Sequence, residues 1–223
     1  MKKLISKFKA QKRKNKVRQN NPDSGKKSYW QLIDSLHSDE CPVCYALLHV
    51  QKKFIEDIFY ESVNDPTIRH KFESSGGLCP IHSQLMFQQA DKLGLALLAR
   101  DLLQKALDQN FNLSFRKCFL CEHQELTEKY LIEDFISSLP LQNFTKELQI
   151  SKGLCLKHFN LIFAAITNKK DKNFLLNWQK EKMKRLLQFL SEFIRKNDYR
   201  FKEEKITEEE SKAIEQVWNL LTQ

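Results

Sequence analysis

Six cysteines and two of the six histidines fall into one pattern that occurs twice along the chain. Cys41-Pro42-Val43-Cys44 is followed by Cys79-Pro80-Ile81-His82, and Cys118-Phe119-Leu120-Cys121 by Cys155-Leu156-Lys157-His158. The copies are offset by 77 residues for the CxxC pairs and 76 for the CxxH pairs. In that register Ile55-Glu56-Asp57 aligns with Ile132-Glu133-Asp134, Ser75 with Ser151, and Gly77-Leu78-Cys79 with Gly153-Leu154-Cys155. The chain is a tandem duplication of one unit.

Each copy supplies three thiols and one imidazole, and Cys3His is a tetrahedral zinc set. Two residues between partners let both reach one ion from a single turn. Proximity in sequence predicts one site per copy: Cys41, Cys44, Cys79 and His82 in the first, and Cys118, Cys121, Cys155 and His158 in the second. The intervening 34 and 33 residues exceed the span of a small zinc finger and suit a helical excursion that returns. Two Zn2+ per chain are expected, with an iron–sulfur cluster as the alternative. Four protein donors leave no open coordination position, so the sites read as structural rather than catalytic.

Thiol chemistry is the rival, because Cys41-Pro42-Val43-Cys44 resembles a thiol-exchange motif. It would make the chain a redox or metal sensor, or an oxidoreductase. The second copy lacks the proline, and no strand–helix pattern surrounds either. Structural disulfides would need an oxidising compartment. Glu56-Asp57 and Glu133-Asp134 recur but read as helix faces. His37, His49, His70 and His123 have no aligned counterpart, and Trp30, Trp178 and Trp218 read as core anchors.

The rest of the pattern is helical. Leu47, Leu48, Phe54, Ile55, Ile58, Phe59 and Val63 form one stripe, and Leu93 to Leu107 another. Asp65-Pro66 reads as an N-cap followed by a first-turn proline. Gly76-Gly77 and Leu139-Pro140 break the chain, and Cys79-Pro80 opens a helix. Later helices are expected through Phe159–Ile166, over Asp171–Lys196, and after Thr207, whose Glu210 completes a capping box. Only 5 Gly against 16 Phe argues against a turn-rich sheet protein. The predicted class is all-α, a duplicated helical unit with a Cys3His site closing each copy, plus C-terminal helices.

Charge is segregated. Of the formal +9, residues 1–27 carry +10 from eleven Lys or Arg and Asp23, which leaves −1 for residues 28–223. The expected organisation is a basic tail over 1–27, metal-binding repeats over 28–112 and 113–199, and a helical extension over 200–223. Such a tail can contact RNA, DNA or an anionic membrane surface through phosphate attraction, and the body can hold a protein partner. No apolar run approaches the roughly 18 residues of a membrane span, and the N-terminus lacks the apolar region of a signal peptide.

The runs Glu61-Ser62-Val63-Asn64-Asp65-Pro66, Ser75-Gly76-Gly77-Leu78-Cys79-Pro80-Ile81-His82 and Leu93-Gly94-Leu95-Ala96 resemble a bacterial family of unknown function, number 6062 in that series. Gly153-Leu154-Cys155-Leu156-Lys157-His158-Phe159 and Asp198-Tyr199-Arg200-Phe201 are similar to it too. The likeness covers about residues 30–205. It implies a bacterial cytoplasmic protein with the same eight ligand positions, and it implies no activity. A non-enzymatic scaffold or adaptor is the expected role.

Overall fold

A computed structural model describes residues 27–89, 91–112 and 116–221, and all its regular elements are helical. They are α1 (Lys27–Ser35), α2 (Pro42–Asp57), α3 (Pro66–Ser74), α4 (Pro80–Gln89), α5 (Lys92–Asp108), α6 (Phe119–Ser138), α7 (Gln142–Leu148), α8 (Leu156–Ala165), α9 (Lys169–Lys196) and α10 (Glu208–Leu221). The first 26 residues, most of the basic tail, lie outside the described part. No helix among the described residues is long and apolar enough to cross a membrane.

Helix boundaries follow local chemistry. Asp65 caps α3 by accepting from the Thr67 amide at 2.7 Å, with Pro66 in the first turn. Asp91 caps α5 through the Gly94 amide at 2.8 Å. Before α10, Glu210 accepts from the Thr207 amide at 2.8 Å and Thr207 Oγ1 from the Glu210 amide at 3.2 Å, so the capping box is formed. The stripe expected to run as one helix to Val63 leaves α-geometry after Asp57 and ends in a π-helical turn, Ile58–Ser62.

Two compact units result, and their limits do not coincide with the sequence repeats. One comprises Tyr45–Tyr130; the other takes in the described residues up to Cys44 and from Leu131 onward. Within the 45–130 unit, Ile55, Ile58, Phe72, Met86, Leu98, Phe119 and Leu120 form a buried cluster. Gly94 is needed there for space: a Cβ on it would lie 2.4 Å from the Phe59 ring. In the other unit Tyr29, Leu32, Phe135, Phe144, Leu148 and Leu175 are buried, with Phe135 edge-on to Phe144 at 5.3 Å. Helix α1 places Tyr29 and Leu32 in that core. The Trp178 indole donates to the Leu148 carbonyl at 3.2 Å, so this tryptophan is the core anchor expected of it, whereas Trp218 is exposed and is not one.

Candidate metal centres

Every ligand pair stands at the start of a helix. The carbonyls of Cys79, Cys118 and Cys155 accept the first i to i+4 bonds, from Ser83, Glu122 and Phe159, at 2.9, 3.2 and 2.8 Å. Each of these cysteines is therefore an N-cap, and its partner three residues on lies in the first turn. That is why a spacing of two recurs: N-cap and third-residue side chains meet over the exposed amides. The Cys155 Sγ in fact accepts from the His158 amide at 3.4 Å. The positive end of the helix dipole favours thiolate there.

The turns before the CxxH pairs need glycine. Gly77 and Gly153 have φ of +105° and +111°, in the left-handed region, two residues before Cys79 and Cys155. Buried Ser75 Oγ lies 2.9 and 2.8 Å from the Phe72 and Gly77 carbonyls, able to donate its one proton to either, and Ser151 Oγ donates to the Leu148 carbonyl at 2.9 Å. The aligned serines thus tie off equivalent turns. Gln179 adds a clamp, accepting from the Leu154 amide at 3.0 Å and donating to its carbonyl at 2.8 Å.

The eight predicted residues gather into two groups of four, but the partners are exchanged. Cys41 and Cys44 meet Cys155 and His158; Cys79 and His82 meet Cys118 and Cys121. The expectation that each repeat closes its own site is corrected. The CxxC turn of one copy is completed by the CxxH turn of the other, and each group falls within one compact unit. The physical reason is that the donor sets are chemically interchangeable. Either combination gives three thiols and an imidazole, so packing of the helices chooses.

All donor atoms within a group lie within 4.8 Å of one another. In the first group, His158 Nδ1 is 3.5, 3.2 and 3.1 Å from the sulfurs of Cys41, Cys44 and Cys155, and Cys44 Sγ is 3.6 Å from Cys155 Sγ. In the second, His82 Nδ1 is 3.2, 3.7 and 3.3 Å from those of Cys79, Cys118 and Cys121, and Cys79 Sγ is 3.7 Å from Cys121 Sγ. A zinc tetrahedron with Zn–S near 2.3 Å and Zn–N near 2.0–2.1 Å has edges of about 3.5–3.8 Å. The donors fit an ion of that size.

Proton chemistry makes the same point. Hydrogen bonds from Cys41 and Cys44 hold Cys155 far below an ordinary thiol, while Cys155 holds Cys44 far above it. Burial opposes charging of His158, but its bonds with Cys155 and Cys41 outweigh burial and push its pKa up to about 10. In the other group burial and the Cys79 contact push Cys121 up to about 12, and burial lowers His82. One thiolate is stabilised and the next is opposed, so ionising a whole set requires a cation at its focus.

Sequence reasoning missed Gln51, which is buried beside His82 with Oε1 2.9 Å from the imidazole Nε2. A signal existed: the 77-residue offset puts Glu128, another hydrogen-bonding side chain, at the equivalent position. The discounted histidines stay apart from the ligand sets. His123 stacks on Phe54 with ring centroids 3.8 Å apart, and His37 lies 3.2 Å from Glu147. Glu56 and Asp57 are exposed, as is Glu133, whereas Asp134 is buried.

Fold and donor sets together define an all-α chain with two Cys3His groups able to hold metal ions. Residues 31–114 and 104–221 each match the Family of unknown function (DUF6062), and the chain belongs to that family. A relative described as an uncharacterized 23.9 kDa protein in the xynA 3'region of Caldicellulosiruptor sp. (strain Rt8B.4) is 28% identical over 180 residues, covering 76% of this chain and 88% of its own. No solved structure matches.

Proposed function

We propose that the chain is a bacterial cytoplasmic protein built around two structural zinc ions, acting as a non-enzymatic scaffold or adaptor. The single observation that carries this reading is the pair of four-donor groups, in each of which every edge is within 4.8 Å. Those edges favour one ion per group over an iron–sulfur core, whose outer thiolates sit on different iron atoms and spread further apart. Four protein donors leave no place for substrate or water. The basic residues 1–27 supply a contact for RNA, DNA or an anionic membrane surface, supported by their +10 charge beside a body of −1. A protein partner would then bind the helical body.

Elemental analysis of anaerobically purified protein tests the first part. Two zinc ions per chain and six thiols unreactive until chelation are expected. Metal-free protein with a reversible Cys41–Cys44 disulfide would favour the thiol-exchange reading, and iron with sulfide would favour a cluster. For the tail, removal of residues 1–27 should abolish salt-sensitive binding to nucleic acid or anionic vesicles. Unchanged binding would move that surface to the body.

A further inference from the structure

We infer that Gln51 is a positioning residue of the Cys79–His82–Cys118–Cys121 centre, fixing the imidazole tautomer that turns a lone pair toward the thiols. Gln124 stands beside it and also hydrogen-bonds His82. The inference rests on reading that centre as a metal site.

The argument is one of donors and acceptors. Gln51, on α2, is 4% exposed, and its amide touches two groups. Its Nε2 donates to the Leu120 carbonyl at 3.3 Å, and its Oε1 lies 2.9 Å from His82 Nε2. A carbonyl can only accept, so Leu120 claims the NH2 end and the oxygen must face the imidazole. That oxygen also only accepts, so Nε2 must carry the ring proton. The reversed amide would set oxygen against oxygen. A neutral imidazole protonated on Nε2 has its lone pair on Nδ1, and Nδ1 is the atom 3.2–3.7 Å from all three sulfurs.

Gln51 also joins the two halves of the donor set. Leu120 lies between Cys118 and Cys121, so a single side chain on α2 links the His82 ring on α4 to the CxxC turn that opens α6. Loss of such an outer contact to a ligating histidine costs about 10–100-fold in metal affinity. A glutamate at position 51 would still accept from Nε2 but could not donate to Leu120. Gln51→Glu therefore removes the Leu120 bond alone, whereas Gln51→Leu removes both.

The test uses full-length protein titrated with Co2+ against a competing chelator, with thiolate-to-cobalt absorbance counting the sites. It compares wild type, Gln51→Leu and Gln51→Glu, and adds 15N NMR of the His82 ring in zinc-loaded wild type. Two cobalt ions in wild type, one of them held 10–100-fold more weakly in Gln51→Leu and less weakened in Gln51→Glu, support the proposal. So does an Nε2-bound ring proton. Two ions held with unchanged affinity in a folded Gln51→Leu variant would overturn the role of Gln51 and leave the metal reading standing. Wild type that takes up neither metal would overturn both. Should Gln51→Leu not fold, an Nδ1-bound proton on His82 in zinc-loaded wild type would overturn it.

Discussion

Cys44 Sγ lies 3.6 Å from Cys155 Sγ, although 111 residues separate them in the chain. Cys79 Sγ and Cys121 Sγ meet at 3.7 Å across 42 residues, inside that span. The ligand pairs are thus nested, first with fourth and second with third. A tandem duplication leads one to expect two sites in series, and the exchange makes each copy depend on the other for a complete donor set.

Proton release follows from the donor chemistry. Cys44 is held far above an ordinary thiol by its bonds to Cys155 and Cys41, and His158 is pushed up to about 10, so both are protonated near neutrality. Loading that centre must displace at least these two protons. Its apparent zinc affinity should rise by at least roughly 100-fold per pH unit below pH 9. Chelator competition at several pH values measures the slope; a flat profile would contradict the assignment.

Gly94→Ala should destabilise the protein despite lying in a helix. Alanine ordinarily gains about 1 kcal/mol over glycine there. Here its Cβ would meet the Phe59 ring at 2.4 Å and the capping Asp91 carboxylate at 2.9 Å. Overpacking of this kind costs about 1–3 kcal/mol. Urea unfolding of metal-loaded protein should show a lower midpoint with an unchanged slope.

Phe135→Ala should cost about 3–5 kcal/mol, the usual loss for a buried aromatic ring. The side chain is fully buried and packs edge-on against Phe144. Leu187→Ala, at an exposed position on α9, should move the unfolding midpoint little.

An acid-sensitive contribution comes from Asp101. Arg69 donates to its carboxylate through Nε at 2.6 Å and through a second guanidinium nitrogen, which holds the carboxyl below its usual range. A lowered folded-state pKa stabilises the fold above the ordinary carboxylate value, near 3.9, and that contribution is lost as pH falls through the lowered one. Asp101→Asn should therefore be less stable by roughly 1–2 kcal/mol at pH 7. The difference should shrink toward zero in acid, read by denaturation at a series of pH values.

Much of the architecture was legible because helix starts are encoded locally. Asp65-Pro66, Thr207 with Glu210, and the CxxC and CxxH turns each announce an N-terminus through groups within three residues, and each forms. The eight donors were legible for the same reason. Their partnership was not, since nothing in Cys41-Pro42-Val43-Cys44 distinguishes Cys79 and His82 from Cys155 and His158. Helix α1 went unread because Lys27–Ser35 spans only nine residues, too short for a repeating apolar stripe, though Tyr29, Leu32 and Ile33 are buried. Gln51 escaped because an amide three turns into α2 has no local signature, and only the folded chain brings His82 and Leu120 to it.

The nested assignment is tested most directly by loading the full-length protein with 113Cd and correlating each cadmium resonance with cysteine β-protons. One resonance should couple to Cys41, Cys44 and Cys155, and a second to Cys79, Cys118 and Cys121. A resonance that couples to Cys41, Cys44 and Cys79 would contradict the exchange, and absence of bound cadmium would contradict the metal centres themselves.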